Sequence, residues 1–270
     1  MRTGCGTSGR EASGRHGRSS TIASTGSTRR FAAGGGVTAE RSHLDVTAEP
    51  VTLRPGIRTF KPRRTRITQR AEQALVEYAS LIIEMGDQPL DPATVWGADM
   101  PWVVEIGFGD GRATAAMAAA APSTALLAID VHTPGVGELL AQVGDAGLEN
   151  VRVMEADAIT VLERMVPAHS LTQVRSYFPD PWPKARHHKR RLVQPAIVDL
   201  MHSRLVPGGT WHLATDWEEY AVSILECFDQ DPHWEGGAIP RPEGRPITRF
   251  ERRALRDGRT VVDLLFTATG

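Results

Sequence analysis

From Trp102 onward the chain repeats one pattern, and that pattern leaves little choice of fold. A short apolar run is followed by a turn and then by a stretch with helical spacing. Strands are expected over residues 102–106, 125–129, 151–154, 171–178, 210–214 and 260–267. Helices are expected over 112–121, 135–143, 159–165, 192–205 and 218–229, with an earlier one over 71–85 and a connector over 87–100. Strands alternating with helices need right-handed crossovers. The fold class is therefore α/β: a doubly wound, mostly parallel sheet covered on both faces.

The N-terminal part is of another kind. Residues 1–50 are rich in Gly, Ser, Thr, Ala and Arg and poor in large apolar residues, so they are expected to form a disordered basic arm, with the folded domain spanning 51–270. Residues 1–70 carry 14 Lys/Arg against 4 Asp/Glu, and the remainder 17 against 28. A basic arm on an acidic body suggests contact with nucleic acid or another anionic surface. Within 57–70, Ile57, Phe60 and Ile67 could anchor an arginine-rich segment to the body. The arm has no apolar core region of a secretory signal; its Arg- and Ser-rich composition is also that of a transit peptide, but a non-targeting tail and a cytoplasmic setting are favoured. Two cysteines, Cys5 and Cys227, argue against a disulfide framework and against a structural zinc site. No apolar run approaches the ~20 residues that span a bilayer.

The acids fall in one place. Glu105, Asp130, Asp157, Asp180 and Asp216 each sit at or just past the carboxyl end of an expected strand. In an open α/β sheet, ligands bind outside those ends. The loop after the first strand reads Gly107-Phe108-Gly109-Asp110-Gly111. Nicotinamide enzymes use G-x-G-x-x-G, which seats a pyrophosphate on a helix N-terminus. Here the spacing is G-x-G-x-G, and Glu105 before it would repel a pyrophosphate and suit a cation such as the ammonium or sulfonium of S-adenosylmethionine. Asp130, about 20 residues on, is placed to bind ribose hydroxyls, and Asp157 to accept the adenine amine. Taken singly, each acid could instead cap a helix, Asp157 above all. An NAD-dependent oxidoreductase and a non-catalytic RNA-binding scaffold remain as alternatives; the glycine spacing and the full set of acids count against them.

The fourth strand runs into S-Y-F-P-D-P-W-P-K-A-R-H-H-K-R-R (176–191). Pro179, Pro181 and Pro183 stop regular structure. Asp180 stands beside a run of cations, Lys184, Arg186, Lys189, Arg190 and Arg191, that could hold RNA phosphates. Trp182 is expected to pack structurally rather than stack on a base.

Five segments together, E-I-G-F-G-D-G (105–111), D-V-H-T-P-G-V-G (130–137), the proline–tryptophan–basic stretch (178–191), T-D-W (215–217) and T-R-F-E (248–251), resemble the bacterial tRNA (guanine-N7)-methyltransferase family. The resemblance covers roughly residues 57–268. It implies a class I methyltransferase sheet of the Rossmann-like type, S-adenosylmethionine as methyl donor and guanine 46 of the tRNA variable loop as target. No ligand set for a metal is visible in the sequence, which leaves open a monomer or a homodimer. Glu105, Asp130 and Asp157 match the family's cofactor acids, with Gly107, Gly109 and Gly111 in the cofactor loop. Asp180 matches the position called the active site. Lys184, Asp216, Thr248, Arg249, Phe250 and Glu251 match substrate-binding positions. Asp130 stands where Glu is common, and Arg249 where Lys is common.

Overall fold

Seven strands form one sheet in the order β3-β2-β1-β4-β5-β7-β6. They are β1 (Trp102–Ile106), β2 (Ala125–Asp130), β3 (Val151–Glu155), β4 (Leu171–Tyr177), β5 (Leu205–Thr215), β6 (Trp234–Ile239) and β7 (Val262–Ala268). The first five are parallel, and β7 runs antiparallel between β5 and β6. This computed structural model describes residues 58–60, 66–97 and 99–270, all within the unit Glu49–Gly270. The arm over 1–50 and most of 57–65 lie outside the described residues.

Strand periodicity sorts the core. Val103, Leu126, Ala128, Val151 and Val153 face a cluster with α1 (Gln69–Glu77), α3 (Arg112–Ala120) and α4 (Thr133–Ala146). Their neighbours Trp102, Val104, Leu127, Ile129 and Met154 face the opposite cluster, built with α5 (Ala158–Arg164), α6 (Pro195–Arg204) and α7 (Glu218–Asp229). Successive side chains of a strand point to opposite faces, so runs such as Ala125–Ile129 bury both faces. The same alternation sends Glu105 to the face that α3 covers.

The differences from the expected elements have local causes. The first helix ends at Glu77, and residues 79–81 form a 3-10 turn. The connector holds a short helix, α2 (Pro92–Trp96), capped by Asp91 and closed by Gly97 in the left-handed region. Helix α6 starts at Pro195 rather than Leu192, because a residue before proline avoids helical geometry. Helix α6 ends at Arg204, and Pro207-Gly208-Gly209 then lies inside β5 as a bulge, where pairing to β4 skips from Leu205 to Thr210. Strand β6 and the helix α8 (Arg249–Arg256) were not expected.

The sheet order reverses between β1 and β4, so the crevice at their carboxyl ends is the topological switch point. Because β3, β2, β1, β4 and β5 are parallel, all five strand-end acids lie along that one edge.

Candidate active site

Glu105 is the most constrained acid on this edge. It is 3% exposed, and its Oε1 accepts a 3.0 Å hydrogen bond from the Thr114 hydroxyl of α3. Its Oε2 is buried and has no hydrogen-bond partner among the described residues. Arg175 is its register neighbour on β4, yet donates to Gln173 at 2.6 Å. Burial pushes the Glu105 carboxyl up to about 7, only partly offset by the Arg175 charge and the Thr114 bond.

The glycine loop wraps in front of this carboxylate. Gly111 has φ +73°, and a Cβ there would meet Leu139 Cβ at 2.7 Å, so the turn onto α3 tolerates no side chain. Gly135 of α4 approaches so closely that a Cβ would lie 2.3 Å from the Gly109 carbonyl oxygen. Asp130 braces the loop: its Oδ2 accepts from the Gly109 amide and its Oδ1 from that of His132, both at 3.1 Å. Burial raises the Asp130 carboxyl, against the lowering effect of these amides.

Glu105, Gly107, Gly109, Tyr177, Thr248 and Phe250 line one cleft. Its volume is about 20 Å³, room for little more than a water. Neither Asp130 nor Asp180 lines this cleft. Asp130 joins it through Gly109, and Asp180 stands three residues past Tyr177.

Asp157 is the N-cap of α5, its Oδ1 accepting from Ile159 N at 3.0 Å. Asp216 is ion-paired with Arg259.

The proline loop leaves β4 with Phe178 at φ 56° and bends again at Trp182 with φ 44°. Bulky residues held there are strained, and such strain gathers at functional sites. Residues 185–190 form a 3-10 turn; on it Arg186 and Lys189 are exposed, as is Lys184 just before it. Two expected phosphate ligands have other work. Arg190 stacks on Trp182, 3.8 Å from the ring centroid, and donates to the carbonyls of Arg58 and Phe60. Trp182 Nε1 donates to Thr59 O at 3.2 Å, so the pair straps residues 58–60 across the loop. Arg191 is 3% exposed, donates to Pro181 O at 2.9 Å and grips both oxygens of Glu219 at 3.1 and 3.0 Å. A guanidinium committed inward in this way cannot reach a phosphate.

T-R-F-E opens α8. Thr248 caps it, its hydroxyl accepting from Glu251 N at 3.1 Å. Phe250 lies 3.5 Å from where a Gly109 Cβ would be. Glu251, expected to meet substrate, is 2% exposed and paired instead with Arg245 at 2.6 Å and Arg241 at 3.0 Å. Arg245, 2% exposed, also grips Asp263 at 2.7 and 2.8 Å. His212 lies 2.9 Å from Asp263 and 3.0 Å from the Tyr177 hydroxyl. Burial pushes the Asp263 carboxyl up, but the His212 and Arg245 bonds and charges outweigh this and leave it below its ordinary value. This chain of buried polar groups, of which only Glu251 was expected at the site, ties α8 to the sheet beneath the cleft. The Thr-x-x-Glu spacing at 248–251 is a capping signature and could have revealed α8.

Residues 99–264 match a family model described as "Putative methyltransferase". A tRNA (guanine-N(7)-)-methyltransferase of Streptomyces avermitilis is 49% identical over 216 residues, covering 78% of this chain and 74% of the relative. Those of Klebsiella pneumoniae and Nitrosospira multiformis are 46% and 47% identical, covering 78% of this chain and 90% and 93% of theirs. Among solved structures, the 16S rRNA methyltransferase KamB aligns with TM-score 0.48 at 16% identity, over 77% of this chain and 97% of that one, a likeness too distant to bear on activity. The matched family region contains the glycine loop, the strand-end acids, the proline loop and all of α8, and the relatives extend the match across most of the chain: it belongs to the tRNA (guanine-N7)-methyltransferase family.

Proposed function

We propose that this chain methylates N7 of guanine 46 in the variable loop of tRNA, with S-adenosylmethionine as donor. The observation that carries the reading is the buried Oε2 of Glu105 behind the glycine loop, which has no hydrogen-bond partner among the described residues. An orphaned carboxylate oxygen is costly, and a cationic ligand group would relieve it. The loop backbone is open on one side, since a Cβ on Gly107 would meet nothing within 4 Å. Glu105 would hold the donor's positive end, with Asp130 keeping the loop in place and the second oxygen of Asp157 available to the adenine amine. When bound, S-adenosylmethionine supplies the methyl group as an electrophile on a sulfonium.

N7 of guanine already carries a lone pair, so the protein has no proton to remove there. Its task is to align the purine and to stabilise the positive charge that develops on it. Asp180 is assigned to this role: a carboxylate accepts from N1–H and the 2-amino group of guanine, and adenine has neither donor. Glu251 takes no part in it, since its oxygens are taken by Arg245 and Arg241. Asp216 could assist only by sharing its bond with Arg259. Lys184, Arg186 and Lys189 would hold backbone phosphates. A tRNA transcript with guanine 46 replaced by adenine should lose methyl incorporation; incorporation equal to that of the parent transcript would overturn the choice of position.

Donor binding should depend on pH. The folded-state carboxyl of Glu105 is raised from 4.5 to about 7, so it is neutral below that pH and ionised above it. If the ionised form binds the cationic donor, affinity rises about tenfold from pH 6 to pH 8, with proton release on binding at pH 6. For the unliganded protein the sign is opposite: stability from Glu105 is full below its unfolded pKa and is lost as pH rises through about 7. Calorimetric titration at the two pH values checks the first; equal affinities would remove Glu105 from donor recognition.

A further inference from the structure

Beside the small cleft lies a larger one of about 480 Å³. Arg112, Arg249, Arg252 and Arg256 line it, with Asp110 as its one lining acid. On α8, Arg249, Arg252 and Arg256 are spaced at i, i+3 and i+7, which sets them along one face, over about 10 Å. The opposite face is fixed inward by Glu251 and Ala254, both buried. Arg253, outside the stripe, is paired with Asp257 at 3.8 Å. The stripe is not neutralised. Arg252 donates to the Ile247 carbonyl at 3.3 Å, Arg112 approaches Asp110 only to 3.9 Å, and among the described residues no carboxylate is paired with Arg249 or Arg256. Four guanidiniums around one acid repel one another until an anion enters. Exposed Ile247 and Leu255, 44% and 53% accessible, add an apolar floor to the cleft.

From this we infer a second RNA-binding site, distinct from the proline loop, in which Arg112, Arg252 and Arg256 take phosphodiesters of the tRNA backbone while Ile247 and Leu255 pack on a ribose or base. Charge complementarity selects a polyanion, and the position selects the same RNA. Asp110 and Arg249 border both clefts, so a strand lying here leads directly to the glycine loop. The inference rests on the proposed tRNA activity. It explains why a helix so rich in arginine is anchored by a buried ion-pair network over the loop.

The test is equilibrium binding of unmodified tRNA, from about 50 to 200 mM salt, to the wild-type protein and to a variant carrying Arg252→Gln and Arg256→Gln. The variant should bind about tenfold more weakly at low salt, and the slope of log K against log salt should flatten by about 1.5, near the value for two lost phosphate contacts. S-adenosylmethionine affinity, measured on the same samples, should be unchanged, which reports an intact fold. Unaltered tRNA affinity and slope in the variant, with wild-type methylation of tRNA observed, would overturn this site and leave the activity standing. A wild-type protein that neither binds nor methylates tRNA would overturn both.

Discussion

Asp180→Ala is expected to lower the methylation rate of tRNA by two to three orders of magnitude while changing tRNA affinity little. Removing one preorganised group aimed at developing charge costs about 10²–10³-fold in kcat. Asp180 stands on the loop that Pro179 and Pro181 stiffen, between the strained Phe178 and Trp182. Binding should survive, because the cations that would meet the backbone, Lys184, Arg186 and Lys189, are on the neighbouring turn. Asp180→Asn should fall between the two, since an amide oxygen still accepts one hydrogen bond but carries no charge. Single-turnover kinetics separate these effects from binding. Wild-type rates in Asp180→Ala would strike Asp180 from the mechanism.

Arg245→Met is expected to be the most destabilising single change near the site. Arg245 joins Glu251 of α8 to Asp263 of β7, and all three are 2% exposed. Removing the cation leaves two carboxylates facing each other in a buried setting. Breaking one buried ion pair from one side costs about 3–5 kcal/mol, a large share of the about 5–15 kcal/mol that holds a typical domain. For a body of this size the melting temperature should drop by about 10 °C or more. A companion variant, Arg245→Met with Glu251→Gln and Asp263→Asn, removes both buried charges and should recover part of the loss. Thermal unfolding at neutral pH measures both. A shift under about 2 °C for Arg245→Met would mean that the network carries little of the stability assigned to it.

The parts of the fold that were legible in the sequence were those where burial dictates composition. Runs such as Val103-Val104 and Leu126–Ile129 are apolar because both faces of the sheet are covered, and the acids near the ends of the parallel strands share one edge of the sheet. Strand β6 was hidden because Gly236 and Gly237 adopt φ +142° and +152° within it; Gly236 is needed there because a Cβ would strike the Leu265 carbonyl oxygen at 2.1 Å. Helix α8 was hidden because only Glu251 and Ala254 of its eight residues are buried, so no apolar stripe announces it. Charge runs misled for a related reason. Lys189, Arg190 and Arg191 are adjacent in sequence, but a 3-10 turn ending in extended backbone points them differently: Lys189 outward, Arg190 onto Trp182, Arg191 into the body. Sequence supplies the charges, and only tertiary contacts decide which of them reach solvent.

The most direct measurement is nucleoside mass spectrometry of unmodified tRNA incubated with the protein and S-adenosylmethionine. The account predicts one new species, 7-methylguanosine, that depends on the donor and vanishes with Asp180→Ala. Unmethylated tRNA, or a methyl group on any atom other than guanine N7, would contradict it.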